Sequence, residues 1–381
     1  MHDEEVAGGV PMDLLFPLGK LVPAVDLVGR EPIVERLLLR LESGQSVVLA
    51  GPRRTGKSSV LAEVLGRLRE RGFVTAMVDC LGDSSREALA EDLVDRVLEN
   101  ETGIPAGLRA ARGWLRGLAE AVSLKAKAAE LDLTLELAPR SVRGPVADLG
   151  EALDFAQRFA KRRDKRAVIC FDEFQTVRRF GREIYGEIRS HLIRHDRVTY
   201  VFLGSRAGLL TGLFEGPAEP FYRFAWREEL PAVPQAAWAE YLDRKFDSAG
   251  VAASQVLGLL LERTGGHPQD TMFLANELYL VAKEYGLDAV GIAQLEQATE
   301  RTMLLLGEFF RRDWEGLGST EQVVLRALAT GERPYRATGK TRGTARALEH
   351  LVELGALERR GRGSYRFFEE MFRRWVATAV R

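Results

Sequence analysis

The chain before Arg227 alternates between short apolar runs and stretches with helical periodicity. One helical face, for example, contains Leu61, Val64 and Leu65 and ends near Gly72. Strands that alternate with helices in this way indicate a parallel sheet with helices on both faces. The apolar runs, which are rich in β-branched residues, predict buried strands at 46–50, 73–79, 167–172 and 198–203.

Residues 104–148 interrupt this alternation of strands and helices. Within them the run LDLTLELAPR alternates apolar and polar residues, as a short exposed strand does. We therefore expect an insertion at 104–148 within a first domain that spans residues 1–229.

The run LPAVP, residues 230–234, contains two prolines and marks a linker. After it, apolar positions recur at helical spacing from Trp238 onward, and a second helix stops at Gly265. Two more helices are expected before residue 312. Residues 230–312 are therefore predicted to form an all-helical domain.

The last part of the chain begins with a predicted helix at Ser319. A second helix, in TRGTARALEHLVELG, has Leu348 and Leu351 on its inner side, and two short strands around a basic tip follow it. Helix, helix and basic hairpin indicate a winged helix at residues 313–381. Winged helices also serve protein contacts, and that alternative stays open. The candidates for contacts with DNA phosphates are Arg342, Arg346, Arg359, Arg360 and Arg362.

The distribution of charge supports a separate C-terminal segment. Residues 331–381 carry 12 Lys and Arg against 6 Asp and Glu, a local charge of +6, whereas the whole chain carries −1. The remaining residues therefore carry −7. A basic segment that follows an acidic body favours double-stranded DNA as a partner.

The composition, with 46% apolar and 29% charged residues, is typical of a soluble globular protein. No apolar run approaches the length of a membrane span, and the acidic start MHDEEVAGG lacks the apolar core of a signal peptide. With only Cys80 and Cys170, both in apolar runs, the chain has no disulfide framework and no cysteine metal site. We therefore expect a cytoplasmic protein without a membrane segment.

Residues 51–59, GPRRTGKSS, contain the phosphate-loop pattern G-x-x-x-x-G-K-[ST] between a predicted strand and a predicted helix. Gly51 and Gly56 permit the tight turns that direct backbone N–H groups toward phosphate oxygens. Lys57 is expected to bridge the β- and γ-phosphates, and the Ser58 hydroxyl to bind Mg²⁺. The residues predicted to contact the nucleotide here are Gly51, Pro52, Arg53, Arg54, Thr55, Gly56, Lys57, Ser58 and Ser59.

A later apolar run, RAVICFDEFQ at residues 166–175, reaches two acids at Asp172 and Glu173. Ionised carboxylates at the end of a buried strand need partners. Asp172 is therefore predicted to hold Mg²⁺ through water, and Glu173 to act as the base that polarises the attacking water. Ser205, after the next strand, has two interpretations: a hydrogen bond to the γ-phosphate or the attacking water, or an ordinary strand-end turn.

Arg194 and Arg197 fall at the end of a predicted helix that has Ile184 and Ile188 on one face. A guanidinium group there is a candidate arginine finger for the nucleotide of a neighbouring subunit. Cations also favour helix C-termini without any catalytic role, so both interpretations stay open. The chain lacks the Asn-Lys-x-Asp pattern that specifies guanine, which favours ATP over GTP.

Together these motifs resemble the archaeal-type AAA+ ATPases, relatives of the origin-recognition ATPases and of the signal-transduction (STAND) NTPases. The similarity spans residues 27–376 and rests on six stretches: LVGREPIVERLLLRL, GPRRTGKSSVL, VICFDEFQ, FLGSRAGLL, TGGHPQDTMFLANEL and SYRFFEEMFRRWV. Two departures are Glu369-Glu370, where the family has Asp-Pro, and His267, where many AAA+ proteins have an arginine. The resemblance implies that Gly29 and Arg30 lie beside the nucleotide base.

It also implies that the helical domain is a lid, whose Gly-Gly-His-Pro turn brings His267 and Pro268 to the nucleotide. The expected fold class is α/β, with a P-loop AAA+ parallel-sheet core, an all-helical lid and a C-terminal winged helix. One expected function is Mg²⁺-dependent ATP hydrolysis coupled to DNA binding or remodelling. The alternative is a slow STAND-like switch that holds ATP or ADP. Its winged helix would mediate protein contacts or assembly, including homo-oligomers, in signalling or defence.

Overall fold

The computed structural model describes residues 15–19, 21–99, 148–205, 207–339, 341–361 and 363–379. The predicted insertion at 104–148 lies outside the described residues except for Asp148, and Arg362 lies outside them as well. In the first part of the chain, helices and strands alternate as the sequence predicts. They are α1 Glu31–Glu42, β1 Val47–Ala50, α2 Lys57–Glu70, β2 Val74–Asp79, α3 Arg86–Glu99, α4 Leu149–Arg162, β3 Ala167–Asp172, α5 Ile184–Leu192, β4 Val198–Gly204, α6 Ala207–Glu215 and β5 Trp226–Glu229.

The five strands form one parallel sheet in the order β2-β3-β4-β1-β5. β1 lies between β4 and β5, with Val47 opposite both Val201 and Trp226. The four predicted strands are confirmed to within one residue at each end. Because all strands are parallel, the loops that follow β1, β3 and β4 meet at one edge of the sheet.

Alternate residues of the strands enter two separate cores. Val168 and Cys170 face one core together with α1 and α2, while Ile169 and Phe171 face the other with α3, α4 and α5. Helices therefore cover both faces of the sheet, as the alternating pattern predicts. Burial on both faces also explains why these strands are almost continuously apolar.

The edge strand β5 was not predicted from the sequence. Its four residues, WREE, are exposed except for Glu228. The Glu228 carboxylate accepts a hydrogen bond from Arg36 Nε at 3.0 Å and a second one from Arg40. An edge strand with one paired side and charged side chains has no apolar pattern by which it can be recognised.

Four helices follow the sheet, and they pack around a core of their own. They are α7 Gln235–Ser248, α8 Ser254–Thr264, α9 Pro268–Glu284 and α10 Ile292–Glu315. Trp238 and Phe246 are buried in this core, and Phe16 packs against Phe246 with ring centroids 5.3 Å apart. The helix α10 continues past residue 312, so it joins the helical segment to the C-terminal segment.

The C-terminal segment, residues 313–379 of the described chain, contains further helices and an antiparallel hairpin. They are α11 Ser319–Ala329, α12 Pro334–Thr338, α13 Thr341–Glu353, β6 Leu357–Gly361, β7 Ser364–Phe367 and α14 Glu370–Ala379. Leu348 and Leu351 share a core with Phe310 and Trp314 of α10. Among the described helices, none combines the length and apolar character needed to cross a membrane.

Candidate functional site

The phosphate loop (residues 51–58) runs from the carboxyl end of β1 into α2. Gly56 has φ +89°, and no atom of the described residues lies within 4 Å of the position that a Cβ would take. Glycine is therefore required here by the left-handed backbone and not by a lack of room for a side chain. Gly51 does not adopt a positive φ; Arg54, at φ +64°, takes the other left-handed position in the loop. Of the two glycines, only Gly56 has a left-handed backbone, and the contact of both with phosphates stays a prediction.

The ammonium group of Lys57 lies within the loop. It donates hydrogen bonds to the carbonyl oxygens of Gly51, at 2.7 Å, and of Pro52. Burial lowers the pKa of Lys57 to about 8, although the nearby Glu173 and Asp172 carboxylates oppose this effect. The ammonium group is therefore held at the sheet edge where the acids of β3 also lie.

Ser58 and Asp172 form a pair of oxygen ligands beside the loop. The Ser58 hydroxyl donates to Asp172 Oδ2 at 2.9 Å, and the backbone N–H of Glu173 donates to Asp172 Oδ1 at 2.9 Å. Burial raises the pKa of Asp172, and the hydrogen bond from Ser58 opposes this rise. A hydroxyl and a carboxylate side by side are ligands that fit Mg²⁺. No cluster of three or more acidic, His or Cys ligands exists within the described ranges.

Glu173 follows Asp172 with its backbone in the left-handed region, at φ +51°. Such a conformation costs a non-glycine residue about 1–3 kcal/mol, so its surroundings must hold it. Glu173 Oε2 accepts hydrogen bonds from the Ser205 backbone N–H at 3.2 Å and from the Ser205 hydroxyl at 2.9 Å. Arg53 Nε lies 3.2 Å from the same hydroxyl. Ser205 therefore links the acid of β3 to the phosphate loop.

These side chains surround a cavity of about 560 Å³, called the nucleotide cavity below. Apolar residues of the helical segment, including Trp238 and Met272, line the cavity opposite the polar groups of the loop. The volume and the mixture of apolar walls with few polar groups are typical of small-molecule sites. Predicted site residues among its lining are Arg30, Arg53, Arg54, Thr55, Gly56, Lys57, Ser58, Ser59, Asp172, Glu173, Ser205 and Pro268.

Arg30 lines the nucleotide cavity, whereas Gly29 packs beside the linker outside that lining. A Cβ on Gly29, which has φ +63°, would lie 3.1 Å from Pro234 of the linker. Arg30 is buried and donates to the carbonyl oxygens of Thr55, at 3.1 Å, and of Pro231. Burial lowers the pKa of Arg30 to about 10. The two predicted base-side residues thus tie the loop to the linker.

The sequence did not indicate that the segment before α1 forms part of the site. Pro17, Leu21 and Val22 line the nucleotide cavity. The backbone N–H of Val22 donates to Ser59 Oγ at 3.0 Å. This segment carries no motif, and only its packing places it here.

His267 does not line the nucleotide cavity, in contrast to Pro268. It is buried, its Nδ1 lies 3.3 Å from Asp270 Oδ1, and its ring centre lies 5.7 Å from that of Phe368 with the ring planes nearly perpendicular. Burial lowers the pKa of His267, but the carboxylates of Asp270 and Glu369 outweigh it and raise the pKa. His267 therefore bonds within the protein, and its contact with the nucleotide stays a prediction.

Arg194 and Arg197 lie away from the nucleotide cavity of their own chain. Arg194 contacts His191 at 3.0 Å and Asp154 at 3.9 Å, and Arg197 lies 3.3 Å from Asp164. Both arginines precede β4, whereas the phosphate loop follows β1. They therefore lie at the opposite edge of the parallel sheet, and an action on another subunit's nucleotide stays a prediction.

The C-terminal segment contacts the phosphate loop directly. Arg54 Nη1 lies 3.6 Å from Glu369 Oε2. The Arg54 guanidinium also lies 5.7 Å from the centre of the Phe309 ring, which belongs to α10 before the C-terminal segment. A Cβ on Gly355 would lie 3.3 Å from Cβ of Pro52. Burial raises the pKa of Glu369, and Arg54 is among the groups that oppose the rise. A second cavity, of about 280 Å³, lies beside this contact, and Pro52, Arg54 and Glu369 are among its lining residues.

The arginines predicted to contact DNA lie on the surface of the same segment. Arg342, Arg346, Arg359 and Arg360 are exposed, and Arg360 forms an ion pair with Glu358 at 2.9 Å. Arg359 follows Gly355, which faces Pro52 of the phosphate loop, by only four residues.

The motifs and their geometry agree with the family comparison. Residues 26–196 match the AAA ATPase domain. The chain contains an AAA ATPase domain. This match covers α1, the phosphate loop, Asp172 and Glu173, and it confirms the expectation of an ATPase.

Solved structures extend the similarity of this AAA ATPase to the rest of the chain. A Walker-type ATPase of Pyrococcus abyssi is 22% identical with a TM-score of 0.67, over 95% of this chain and 99% of that one. The ORC2 protein of Aeropyrum pernix, solved in ADPNP-ADP complexes, is 14% identical with a TM-score of 0.60, over 96% of each chain. The ORC1 protein of Aeropyrum pernix, solved in complex with DNA, is 15% identical with a TM-score of 0.50, over 94% and 95%. No curated protein matches the sequence.

Proposed function

We propose that this AAA ATPase hydrolyses ATP with Mg²⁺ and couples hydrolysis to DNA binding through a basic C-terminal winged helix. The observation that carries the ATPase part is the joint position of Ser58, Asp172 and Glu173 beside the phosphate loop. The Ser58–Asp172 hydrogen bond and the Glu173–Ser205 hydrogen bonds bring residues of three loops to one cavity.

In this proposal, the phosphate loop binds the phosphates through its backbone N–H groups and the N-terminus of α2. Lys57 exchanges its bonds to loop carbonyls for phosphate oxygens. Ser58 and Asp172 hold Mg²⁺, which neutralises phosphate charge when bound. Glu173 orients the attacking water, and Ser205 fixes the carboxylate that does so. The apolar wall around Trp238 and Met272 receives the base, and the absence of a guanine motif favours adenine.

The variant Glu173→Gln tests this assignment. Because the amide cannot accept the proton, we expect turnover to fall by about 10²–10⁴-fold. Binding of ATP should stay within about twofold of the wild type, since base and phosphate contacts are unchanged. Glu240→Gln, at an exposed position of α7, is the matched control. Wild-type turnover in Glu173→Gln would refute the assignment.

Support for the DNA part comes from charge and from a similar fold. The C-terminal segment is basic, and its arginines at 342, 346 and 359 are exposed. Its two helices and hairpin, α11, α13 and β6–β7, have the order of a winged helix. The ORC1 protein of similar fold was solved with DNA.

The triple change of Arg342, Arg346 and Arg359 to Ala tests this part. If each arginine contacts one phosphate, the slope of log affinity against log salt concentration becomes shallower by about 2–3. The control changes three exposed arginines of the sheet-containing part of the chain, Arg158, Arg178 and Arg182, to Ala and so removes the same charge. An equal loss of duplex affinity in both triple variants would refute a specific DNA surface.

The contact between the C-terminal segment and the phosphate loop favours a second candidate, a slow nucleotide switch. Arg54 and Glu369 form this contact. In such a switch the protein retains ADP through purification, and its C-terminal segment serves protein contacts or assembly. Release of the bound nucleotide after Arg54→Ala, with a change in oligomer size by light scattering, would support the switch. Rapid steady turnover of the wild type, with no retained nucleotide, would exclude it.

A further inference from the structure

The amide side chain of Gln175 lies against the carboxylate of Glu173. We propose that Gln175 is a positioning residue for Glu173, and that Gly204 provides the room that this amide needs. The proposal rests on the role proposed above for Glu173. Gln175 follows Glu173 by two residues at the start of a 3₁₀ helix, Phe174–Phe180, and Gly204 is the last residue of β4.

Three donors converge on one oxygen of the Glu173 carboxylate. Oε2 accepts from the Ser205 backbone N–H at 3.2 Å, from the Ser205 hydroxyl at 2.9 Å and from Gln175 Nε2. Every hydrogen bond that the described residues make to this carboxylate falls on Oε2. The other oxygen, Oε1, is therefore left to accept a hydrogen bond from a water molecule in the nucleotide cavity. Three donors on one oxygen restrict the rotation of the carboxylate. A base needs such a fixed orientation to accept a proton from the attacking water.

The orientation of the amide follows from its neighbours. An ionised carboxylate only accepts hydrogen bonds, so the amide of Gln175 must present its nitrogen to Glu173. Its oxygen then points away, is buried and has no hydrogen-bond partner among the residues that the structure describes. A buried amide oxygen without a donor costs about 1–3 kcal/mol, so a specific arrangement must maintain it. The backbone carbonyl of Gln175 is held as well, since it accepts from the Tyr185 hydroxyl at 3.0 Å.

Gly204 explains how the amide reaches this position. A Cβ on Gly204 would overlap the amide oxygen of Gln175 and lie 3.0 Å from Leu210 Cδ2. Gly204 does not have a positive φ, so any residue could adopt its backbone conformation. Glycine is therefore required here for space alone, and the space is filled by Gln175.

Gln175 acts on Glu173 rather than on the nucleotide. Glu173 and Ser205 line the nucleotide cavity, but Gln175 is not among its lining residues. The amide supports the carboxylate from behind, as a partner that orients a catalytic group does.

The experiment measures steady-state ATPase kinetics of Gln175→Ala and Gly204→Ala. Loss of one charge-assisted hydrogen bond on the base should lower kcat about tenfold in each variant. We expect KM for ATP to stay within about twofold, because no group that contacts ATP changes. Gly186→Ala in α5 is the matched control, since nothing lies within 4 Å of its added Cβ. Thermal unfolding shows whether each variant is folded.

A double-mutant comparison separates positioning from a merely structural role. If Gln175 acts through Glu173, adding Gln175→Ala to Glu173→Gln should leave the residual turnover unchanged. A further tenfold drop in that background would overturn the proposal. Gln175→Glu keeps the size of the side chain but places a second carboxylate against Glu173, so it should be at least as slow as Gln175→Ala.

The outcomes distinguish this inference from the function on which it rests. If Glu173→Gln retains wild-type turnover, the role of Glu173 itself fails. If Glu173→Gln is inactive while Gln175→Glu and Gly204→Ala turn over at the wild-type rate, only the positioning role of Gln175 fails. Because Gln175→Glu preserves side-chain volume, it keeps the test decisive even where Gln175→Ala does not fold.

Discussion

The contact between Gly355 and Pro52 permits a test of whether the C-terminal segment restrains the phosphate loop. Gly355 has φ +79°, and a Cβ there would lie 3.3 Å from Cβ of Pro52 and 3.5 Å from its Cα and Cγ. Gly331 offers a matched control, because it has φ +78° and nothing lies within 4 Å of its Cβ position. The two changes to Ala therefore share the backbone strain and differ only in the contact with the loop.

The left-handed backbone costs an alanine about 1–2 kcal/mol, so both variants should lose this amount of unfolding free energy. Gly355→Ala additionally presses one methyl group into Pro52. Overpacking by one group costs about 1–3 kcal/mol, and a single contact at 3.3 Å belongs at the lower end, near 1 kcal/mol. That extra cost disappears if the C-terminal segment moves away from the loop. The docked arrangement should therefore lose about fivefold in population relative to Gly331→Ala.

The assay is dissociation of a fluorescent ADP analogue followed by stopped flow, with urea unfolding as the measure of stability. Because Pro52 and Arg54 belong to the phosphate loop, a less populated docked state should release ADP up to about fivefold faster in Gly355→Ala than in Gly331→Ala. Equal dissociation rates in the two variants would refute the reasoning that docking restrains the loop.

Three further predictions concern other parts of the chain. Burial lowers the pKa of His267, but the carboxylate of Asp270 helps raise it above the ordinary histidine value. Protonated His267 therefore stabilises the fold below the ordinary histidine pKa, and this contribution is lost as pH rises through the folded-state pKa. The difference in urea stability between wild type and His267→Gln should therefore shrink from pH 5.5 to pH 8; a difference that grows with pH would contradict this sign. If an arginine finger acts between subunits, Arg194→Ala or Arg197→Ala should lower turnover at least about tenfold without weakening ATP binding, and wild-type turnover in both would exclude it. Both cysteines are fully buried, and burial raises their pKa well above the ordinary value, so a thiol reagent should label them only after denaturation; rapid labelling of the folded protein would contradict their burial.

The elements that the sequence predicted well are those with a local cause. The strands β1 to β4 are buried on both faces, so almost every residue in them is apolar and their bounds can be read along the chain. The edge strand β5 has only one buried residue and was missed. The phosphate loop was predicted because its glycine and lysine lie at fixed spacing, although Arg54, rather than Gly51, adopts the second left-handed conformation.

The sequence predicted which residues belong to the candidate site, but it predicted only some of the contacts between them. Ser58 and Asp172 meet as expected because parallel strands bring their carboxyl-end loops to one edge. Ser205 had two interpretations from the sequence, and in the structure it bonds to Glu173 and Arg53. His267, expected at the nucleotide, lies outside the lining of the nucleotide cavity, with Nδ1 3.3 Å from Asp270 Oδ1.

The sequence by itself determined the sheet, the phosphate loop and the pair of acids, because apolar periodicity and motif spacing depend on neighbours along the chain. Only the tertiary structure decided which groups bond to Glu173 and which segment contacts the phosphate loop. Gln175 supports Glu173 because Gly204, on another strand, leaves room for its amide. Arg54 meets Glu369 because the last segment folds back onto the loop. Such contacts join residues far apart in sequence, and their energies depend on distance and burial, which no local pattern records.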